Sequence, residues 1–397
     1  MNAVPNASAL RGIDVVGLHR WLEAHRAQLL DDVLDLVGRE TPSDDPVLLD
    51  RGLARIERWI TDTLGEPQRR SRTDGGPYGD ALTLEFPGVG SAPVVLLGHY
   101  DTVWQAGTLA EWPCAVDGDR ASGPGIFDMK AGLVQAVWAL RALDATGHRR
   151  PPVRLVLNGD EEIGSPASRP VIERACAGAA AVLVFEGSAD GALKTSRKGV
   201  GIFDVTVTGR EAHAGLDPEK GVSAIDEMAR ATLKLHALAD PAAGTTVNVG
   251  LVRGGSAINV VAGQATARVD VRVASQAEAD RVDRALARLE PHDPRAAITV
   301  TGEWNRPVME RTPAIIAMAG LARAAAAELG ADLAEVAVGG ASDGNFAAAT
   351  GVPVLDGIGA VGDGAHARDE HVSVAALTER SAIAAAVLAA FPKGPTA

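Results

Sequence analysis

The sequence predicts an α/β protein: a helix-flanked, mostly parallel sheet into which a ferredoxin-like α+β unit is inserted. Three observations predict it. Short, wholly apolar runs bounded by Gly and Pro alternate with helical stretches over residues 81–185, the pattern of strands buried on both faces. Near residue 197 the pattern changes to clean period-two alternation, as for strands with one face in a core. Helix–strand alternation then resumes at residue 312. A chain of 397 residues is long enough for two domains. The expected division is 1–196 and 308–397 for the larger domain and 197–307 for the insert.

Residues 15–36 place Leu18, Leu22, Leu29, Leu30, Val33 and Leu36 on one broad apolar face and predict a single helix. A second helix is expected from about 45 to 64, stopped by Gly65. Residues 81–86 and 93–98 read as strands, 130–145 as an Ala- and Leu-rich helix entered through Gly-Pro-Gly, and 153–158 and 180–185 as buried strands with a helix between them. In the insert, strands at 202–208, 245–252, 265–273 and 297–301 and helices at about 220–239 and 276–289 follow the order β-α-β-β-α-β of a ferredoxin-like unit. Residues 312–329 (helix), 335–338 and 352–356 (strands) and a helix from about 374 complete the larger domain.

Composition narrows the function. Lys+Arg number 38 against Asp+Glu 51, a net charge of −13, the wrong sign for gripping nucleic acid or an anionic membrane. Two cysteines, Cys114 and Cys176, neither make a disulfide framework nor form a CxxC pair. The N-terminal stretch lacks a basic segment followed by an apolar one, so no secretory signal is read and a cytoplasmic location is expected. The longest apolar runs are too short to span a bilayer.

The strands of the larger domain end on acid or imidazole. Residues 94–98 lead to His99-Tyr100-Asp101, 153–158 to Asp160-Glu161-Glu162, 180–185 to Glu186, and 352–356 through a Gly-rich loop to His366. Asp128 stands where Gly-Pro-Gly enters a helix. Ligands of open α/β sheets collect beyond the carboxyl ends of the strands. Any one of these side chains alone reads as a capped loop residue or a solvated edge. Together they crowd carboxylates that repel one another unless cations hold them, and imidazole plus carboxylate without thiolate suits zinc, cobalt or manganese.

These residues lie in GHYDTVW, GPGIFDMKAGLV, NGDEEIGS, VFEGS, REAHAG, GGASDGNF and GAHARDEHV. In that order the motifs resemble those of the M20 metallopeptidases, closest to the glutamate carboxypeptidase (carboxypeptidase G2) type, over residues 94–372. The resemblance implies a zinc-peptidase-like catalytic domain holding two Zn²⁺ per subunit, with Co²⁺ or Mn²⁺ as possible substitutes. By that resemblance Asp128 would bridge the metals, with His99 and Glu186 completing one site and Glu162 and His366 the other. Glu161 becomes the general base and Asp101 the carboxylate that orients His99. The peptide after Asp128 is expected to be cis. The insert becomes a lid that makes a homodimer, sends His213 to the partner's site as an oxyanion donor, and contacts substrate through Asn259 and Arg272, the latter a carboxylate clamp. Without the resemblance, His213 reads as a turn residue and Arg272 as a surface strand residue.

Two departures refine the reading. Members that deacylate ornithine or succinyl-diaminopimelate carry Arg where this chain has Asn345, which favours the carboxypeptidase-like branch. His371, where an aromatic residue is common, offers a rival imidazole to His366; His366 is preferred because it follows the Gly-rich loop and precedes Glu370 by four. Neither cysteine occupies a ligand motif, which argues against the branch with a Cys ligand. The expected activity is dinuclear zinc-dependent hydrolysis of an amide whose substrate carries a free carboxylate, a C-terminal glutamate or an N-acyl amino acid. The alternatives are an acetylornithine/succinyl-diaminopimelate-type deacylase and a metal-free binding protein, and the intact ligand set weighs against the last.

Overall fold

The structure, a computed structural model, describes residues 4–391. The chain divides into two compact units. The first comprises residues up to 195, 311–337 and from 342 onward; the second comprises 196–310 and 338–341.

The first unit opens with α1 (Val15–Ala24) and α2 (Arg26–Val37), where one continuous helix was expected. His25 breaks it at φ −115°, ψ 13°, with its ring Nδ1 2.8 Å from the carbonyl of Trp21. The apolar face survives the break, because Leu18, Leu22, Leu29, Val33 and Leu36 are all buried. Asp45 caps α3 (Pro46–Leu64), accepting from the N–H groups of Val47 and Leu48, and Pro46 stands at the first turn, where no donor is lost. Strands β1 (Arg69–Thr73), β2 (Gly79–Phe86) and β3 (Val94–His99) follow, then the short α4 (Thr108–Glu111), β4 (Ala115–Asp117) and β5 (Arg120–Ser122). Next come α5 (Ala131–Ala145), β6 (Val153–Gly159), α6 (Arg169–Cys176), β7 (Ala181–Val184) and β8 (Leu193–Arg197).

The second unit contains β9 (Gly199–Thr208), α7 (Ala224–His236), β10 (Thr246–Gly254), β11 (Gln264–Val273), α8 (Gln276–Leu286) and β12 (Ala297–Arg306). Its sheet order, β10-β11-β9-β12 with all pairs antiparallel, is that of a ferredoxin-like unit. Alternation does the folding here: Ala265, Ala267, Val269, Val271 and Val273 of β11 point into the unit's own core, beside Val205 and Val207 of β9.

The chain returns as α9 (Pro313–Glu328), β13 (Glu335–Val338), α10 (Gly344–Ala349), β14 (Val354–Asp356), β15 (Gly362–Asp363), β16 (His371–Ser373) and α11 (Val374–Ala389). The large sheet runs β1-β2-β6-β3-β7-β14-β8-β13. Its parallel part is the central β6-β3-β7-β14, whereas β1, β2 and β8 pair antiparallel at the flanks. All residues of β3 and β7 are buried, which explains their unbroken apolar reading. No periodicity marks β1 or β8, nor a second small sheet, β15-β16-β5-β4, whose strands are two or three residues long. That sheet sets Glu370, just before β16, against the loop that follows β5. None of the described helices is long and apolar enough to cross a membrane.

Candidate metal centre

Three of the central parallel strands deliver their polar residues at one end of the sheet. His99 is the last residue of β3; Glu161 and Glu162 open the turn after β6; Glu186 stands two residues beyond β7. Close approach is made possible by two glycines: a Cβ on Gly132 would lie 1.9 Å, and one on Gly359 2.1 Å, from the carbonyl oxygen of Phe185, the residue before Glu186. Asp128 lies in the turn Ile126–Lys130 ahead of α5, and the Asp128–Met129 peptide is cis. His366 sits between β15 and β16 at φ +62°.

Asp128 turns one oxygen to each of two imidazoles. Its Oδ1 is 3.2 Å from His99 Nε2 and its Oδ2 3.4 Å from His366 Nε2. His99 Nε2 is also 3.6 Å from Glu186 Oε1, and His366 Nε2 is 3.0 Å from Glu162 Oε2. One carboxylate thus stands between a His99–Glu186 pair and a His366–Glu162 pair. Ligand atoms of His99, Asp128 and Glu162 fall within 4.8 Å of one another. His371 is elsewhere, in β16, with its Nδ1 2.9 Å from the carbonyl of Asp369.

The surroundings aim these side chains. His99 is buried, and its Nδ1 lies 3.1 Å from the carbonyl and 3.3 Å from the carboxylate of Asp101, which assigns the ring proton there and leaves the Nε2 lone pair for the centre. Asp101, fully buried, also accepts from the N–H groups of Glu161 and Glu162, each at 3.2 Å, and from Ser43 Oγ at 2.7 Å. Buried Glu370 accepts from the N–H groups of Phe127 (2.9 Å) and Asp128 (3.0 Å) through one oxygen and from Gly125 N–H and Trp104 Nε1 (both 2.9 Å) through the other. Lys130 Nζ donates to the carbonyl of Arg39 at 2.6 Å, and burial holds that amine down to about 8. Ser43 and Glu370 were not foreseen as parts of the site. Ser43 lies in a polar loop with no pattern to mark it, and the sequence marks Glu370 only by its spacing from His366.

Electrostatics agree with a cation site. Burial pulls the His99 imidazolium down, yet hydrogen bonds to Asp101 and Asp128 outweigh it and raise the ring well above its usual range. Hydrogen bonds to Asp128 and Glu162 raise His366 to about 10 against a smaller burial effect. Burial would raise Asp128, but the two imidazoles more than offset it and hold its carboxyl well below the usual range. Glu162 is pushed up by burial, and its Oε1 is buried with no hydrogen-bond partner among the described residues. A field of that sign attracts divalent cations in place of the protons, and the donor set of imidazole, carboxylate and no thiolate fits ions of the zinc type.

The second unit carries the other expected side chains. His213 and Asn259 lie on adjoining segments, joined by the N–H of Ala214 donating to the carbonyl of Asn259 at 2.9 Å. Both are exposed. His213 Nδ1 accepts from the N–H groups of Gly215 and Leu216, each at 3.1 Å, which puts the proton of the neutral ring on Nε2 and makes that nitrogen a donor. Arg272 in β11 has its guanidinium fork on Asp270, Nε to Oδ1 at 3.0 Å and Nη2 to Oδ2 at 3.1 Å. Buried Asn345, in the first unit, accepts from the N–H of Ser342 through Oδ1.

Comparison with known proteins places the chain in a family. Residues 95–390 match the peptidase family M20/M25/M40. Carboxypeptidase G2 of Pseudomonas sp. (strain RS-16) is 32% identical over 332 residues, covering 82% of this chain and 80% of that protein. Acetylornithine deacetylase of Myxococcus xanthus is 31% identical over 286 residues, 67% of this chain and 71% of that protein. Among solved structures, the aminopeptidase PepT of Bacillus cereus shares the fold with a TM-score of 0.74 at 21% identity, covering 93% of this chain and 99% of its own. The YXEP protein of Bacillus subtilis, described as a dinuclear metal-binding peptidase of the M20 family, has a TM-score of 0.66 at 16% identity, covering 92% and 98%.

Proposed function

The chain belongs to the M20/M25/M40 peptidase family, and from that premise we propose that it hydrolyses the amide bond of a small substrate bearing a free carboxylate: a peptide with C-terminal glutamate or an N-acyl amino acid. The enzyme is a metallopeptidase or amidohydrolase of that family. The observation that carries the proposal is Asp128, with one oxygen toward His99 and the other toward His366. His99, Asp128 and Glu186 would hold one zinc ion and Asp128, Glu162 and His366 a second, with cobalt or manganese as substitutes. Bound there, the ions supply Lewis-acid polarisation of the scissile carbonyl and activation of water.

The side chains divide the remaining work. Glu161 takes the proton of the attacking water and delivers it to the leaving amine. Asp101 holds the main-chain N–H groups of both glutamates and so fixes the backbone of their turn, from which Glu162 reaches His366. His213, a donor at Nε2, stabilises the oxyanion, and Asn259 adds a substrate contact. Arg272 binds the substrate carboxylate through the N–H groups that Asp270 does not take, since Asp270 holds Nε and one side of Nη2 and sets the orientation of the guanidinium.

We further propose a homodimer through the second unit, so that His213 serves the partner's centre. β10 is an edge strand on which Leu251 is 56% and Val252 55% exposed, an edge suited to pairing with its own copy. The free thiols Cys114 and Cys176 support a cytoplasmic location.

A panel of N-acyl and peptidyl amino acids, assayed after chelation and reloading with zinc or cobalt, tests the activity. Hydrolysis of carboxylate-bearing amides is expected, restored by metal and lost when the carboxylate is amidated. Activity that persists in the stripped protein would overturn the mechanism. The second reading, an acetylornithine-type deacylase, is favoured by the Myxococcus relative; it predicts N-acetylornithine as the substrate of highest kcat/KM in the same panel.

A further inference from the structure

The turn bearing Glu161 and Glu162 is gripped from a third direction that the mechanism above does not use. Asp343, 3% exposed, precedes α10 and lies 178 residues along the chain from Ser165. Its Oδ2 accepts from Asn158 Nδ2 at 2.8 Å, and its Oδ1 accepts from Ser165 Oγ at 2.5 Å. Asn158 is the penultimate residue of β6, ahead of the two glutamates, and Ser165 comes after them, so a single carboxylate ties the strand end to the far side of the turn.

The need for such a tie is visible in the backbone. Gly164 and Ser165 follow one another at φ +98° and +57°. The left-handed region is ordinary for glycine and uncommon for serine, so the second of these residues requires support from its surroundings. The N–H of Ser165 donates to the carbonyl of Asp160 at 2.7 Å, and its hydroxyl reaches Asp343. An ionised carboxylate accepts on both oxygens; an asparagine in its place would turn an N–H donor toward one of two donors.

We propose that Asp343 is a positioning residue: by holding Asn158 and Ser165 together it sets the direction in which Glu161 meets the substrate. The inference rests on the reading of Glu161 as base and Glu162 as ligand. Asp343 acts through Asn158 and Ser165.

The test uses the metal-loaded full-length enzyme with Asp343→Asn, Ser165→Ala, the double variant and Glu161→Gln, each checked by circular dichroism and for bound metal. At saturating metal, Asp343→Asn should lower kcat by about 10–100-fold, the usual cost of losing an outer-shell partner, with KM little changed. Ser165→Ala should lower kcat by less, and the double variant should be no worse than Asp343→Asn alone: Asn158 Nδ2 can only donate, so the new amide keeps its oxygen there, turns its NH2 to Ser165 Oγ and already breaks the bond that Ser165→Ala removes. Should Asp343→Asn not fold, Ser165→Ala reads the same bond from its other end. Wild-type kcat in a folded Asp343→Asn enzyme, a loss confined to KM, or losses that add in the double variant would each overturn the proposal. Full activity in Glu161→Gln would instead sink the underlying assignment of the base; an inactive Glu161→Gln beside a fully active Asp343→Asn would sink this inference alone.

Discussion

His366 Nε2 meets Glu162 Oε2 at 3.0 Å across 204 residues of sequence, while His371, only five residues further on, faces the carbonyl of Asp369. His366→Ala should therefore lower bound metal and cut turnover by more than the about 10–100-fold typical of an outer-shell loss. His371→Ala should leave both close to the parent. Metal analysis with kinetics decides it, and the reverse pattern would make His371 the ligand.

Glu161→Gln keeps the shape of the side chain and removes the base. Bound metal should stay near normal while kcat falls by about 10²–10⁴-fold. If metal and turnover are lost in proportion, Glu161 is a ligand and the roles of the glutamate pair are exchanged.

Completion of the site in trans is tested by mixing. An inactive His213→Ala dimer and an inactive Glu161→Gln dimer should regain part of the activity once subunits exchange. One site of the mixed dimer then has an intact Glu161 served by an intact His213. Exchange verified by mass spectrometry without recovery would show that His213 acts within its own subunit or not at all.

Burial pushes the Cys176 thiol up to about 11, against a smaller lowering by Thr350. A thiol of that kind is about 10⁻³ thiolate at pH 8, and the thiolate is the reactive form. In a Cys114→Ser variant, Cys176 should resist a disulfide-forming reagent at pH 8 until the protein is unfolded, with reactivity rising as pH climbs toward 11. Rapid labelling of the folded variant at pH 8 would contradict the burial.

Much of the fold was legible because the buried strands and the half-buried strands write different patterns. β3 and β7 are apolar throughout, β9 and β11 alternate, and both patterns survive in the burial of their residues. What escaped has short range or none. β15 is two residues long and has no period to detect. The break at His25 leaves the apolar face of α1 and α2 intact, so hydrophobic spacing could not report it. The same holds for the site. Acids and imidazoles at strand ends announce themselves, whereas Ser43, Ser165 and Asp343 matter through hydrogen bonds to residues far away in sequence, and a lone serine in a polar loop carries no trace of its partner. Arg272 illustrates the opposite limit: its position was foreseen, but not that Asp270, two residues back on the same face of β11, would already hold its fork.

The grip of Glu370 on the Asp128 loop also fixes an order of events at the ribosome. The loop from Gly125 to Asp128 leaves the exit tunnel more than 240 residues before the carboxylate that receives its N–H groups. Throughout that interval the whole second unit, which has its own core, is made and free to fold. A nascent chain that stops short of His366 can contain His99, Asp128, Glu162 and Glu186 and still lack both the last imidazole and the carboxylate that holds the Asp128 loop. On the proposed ligand set, metal acquisition would be a late step, tied to completion of the polypeptide.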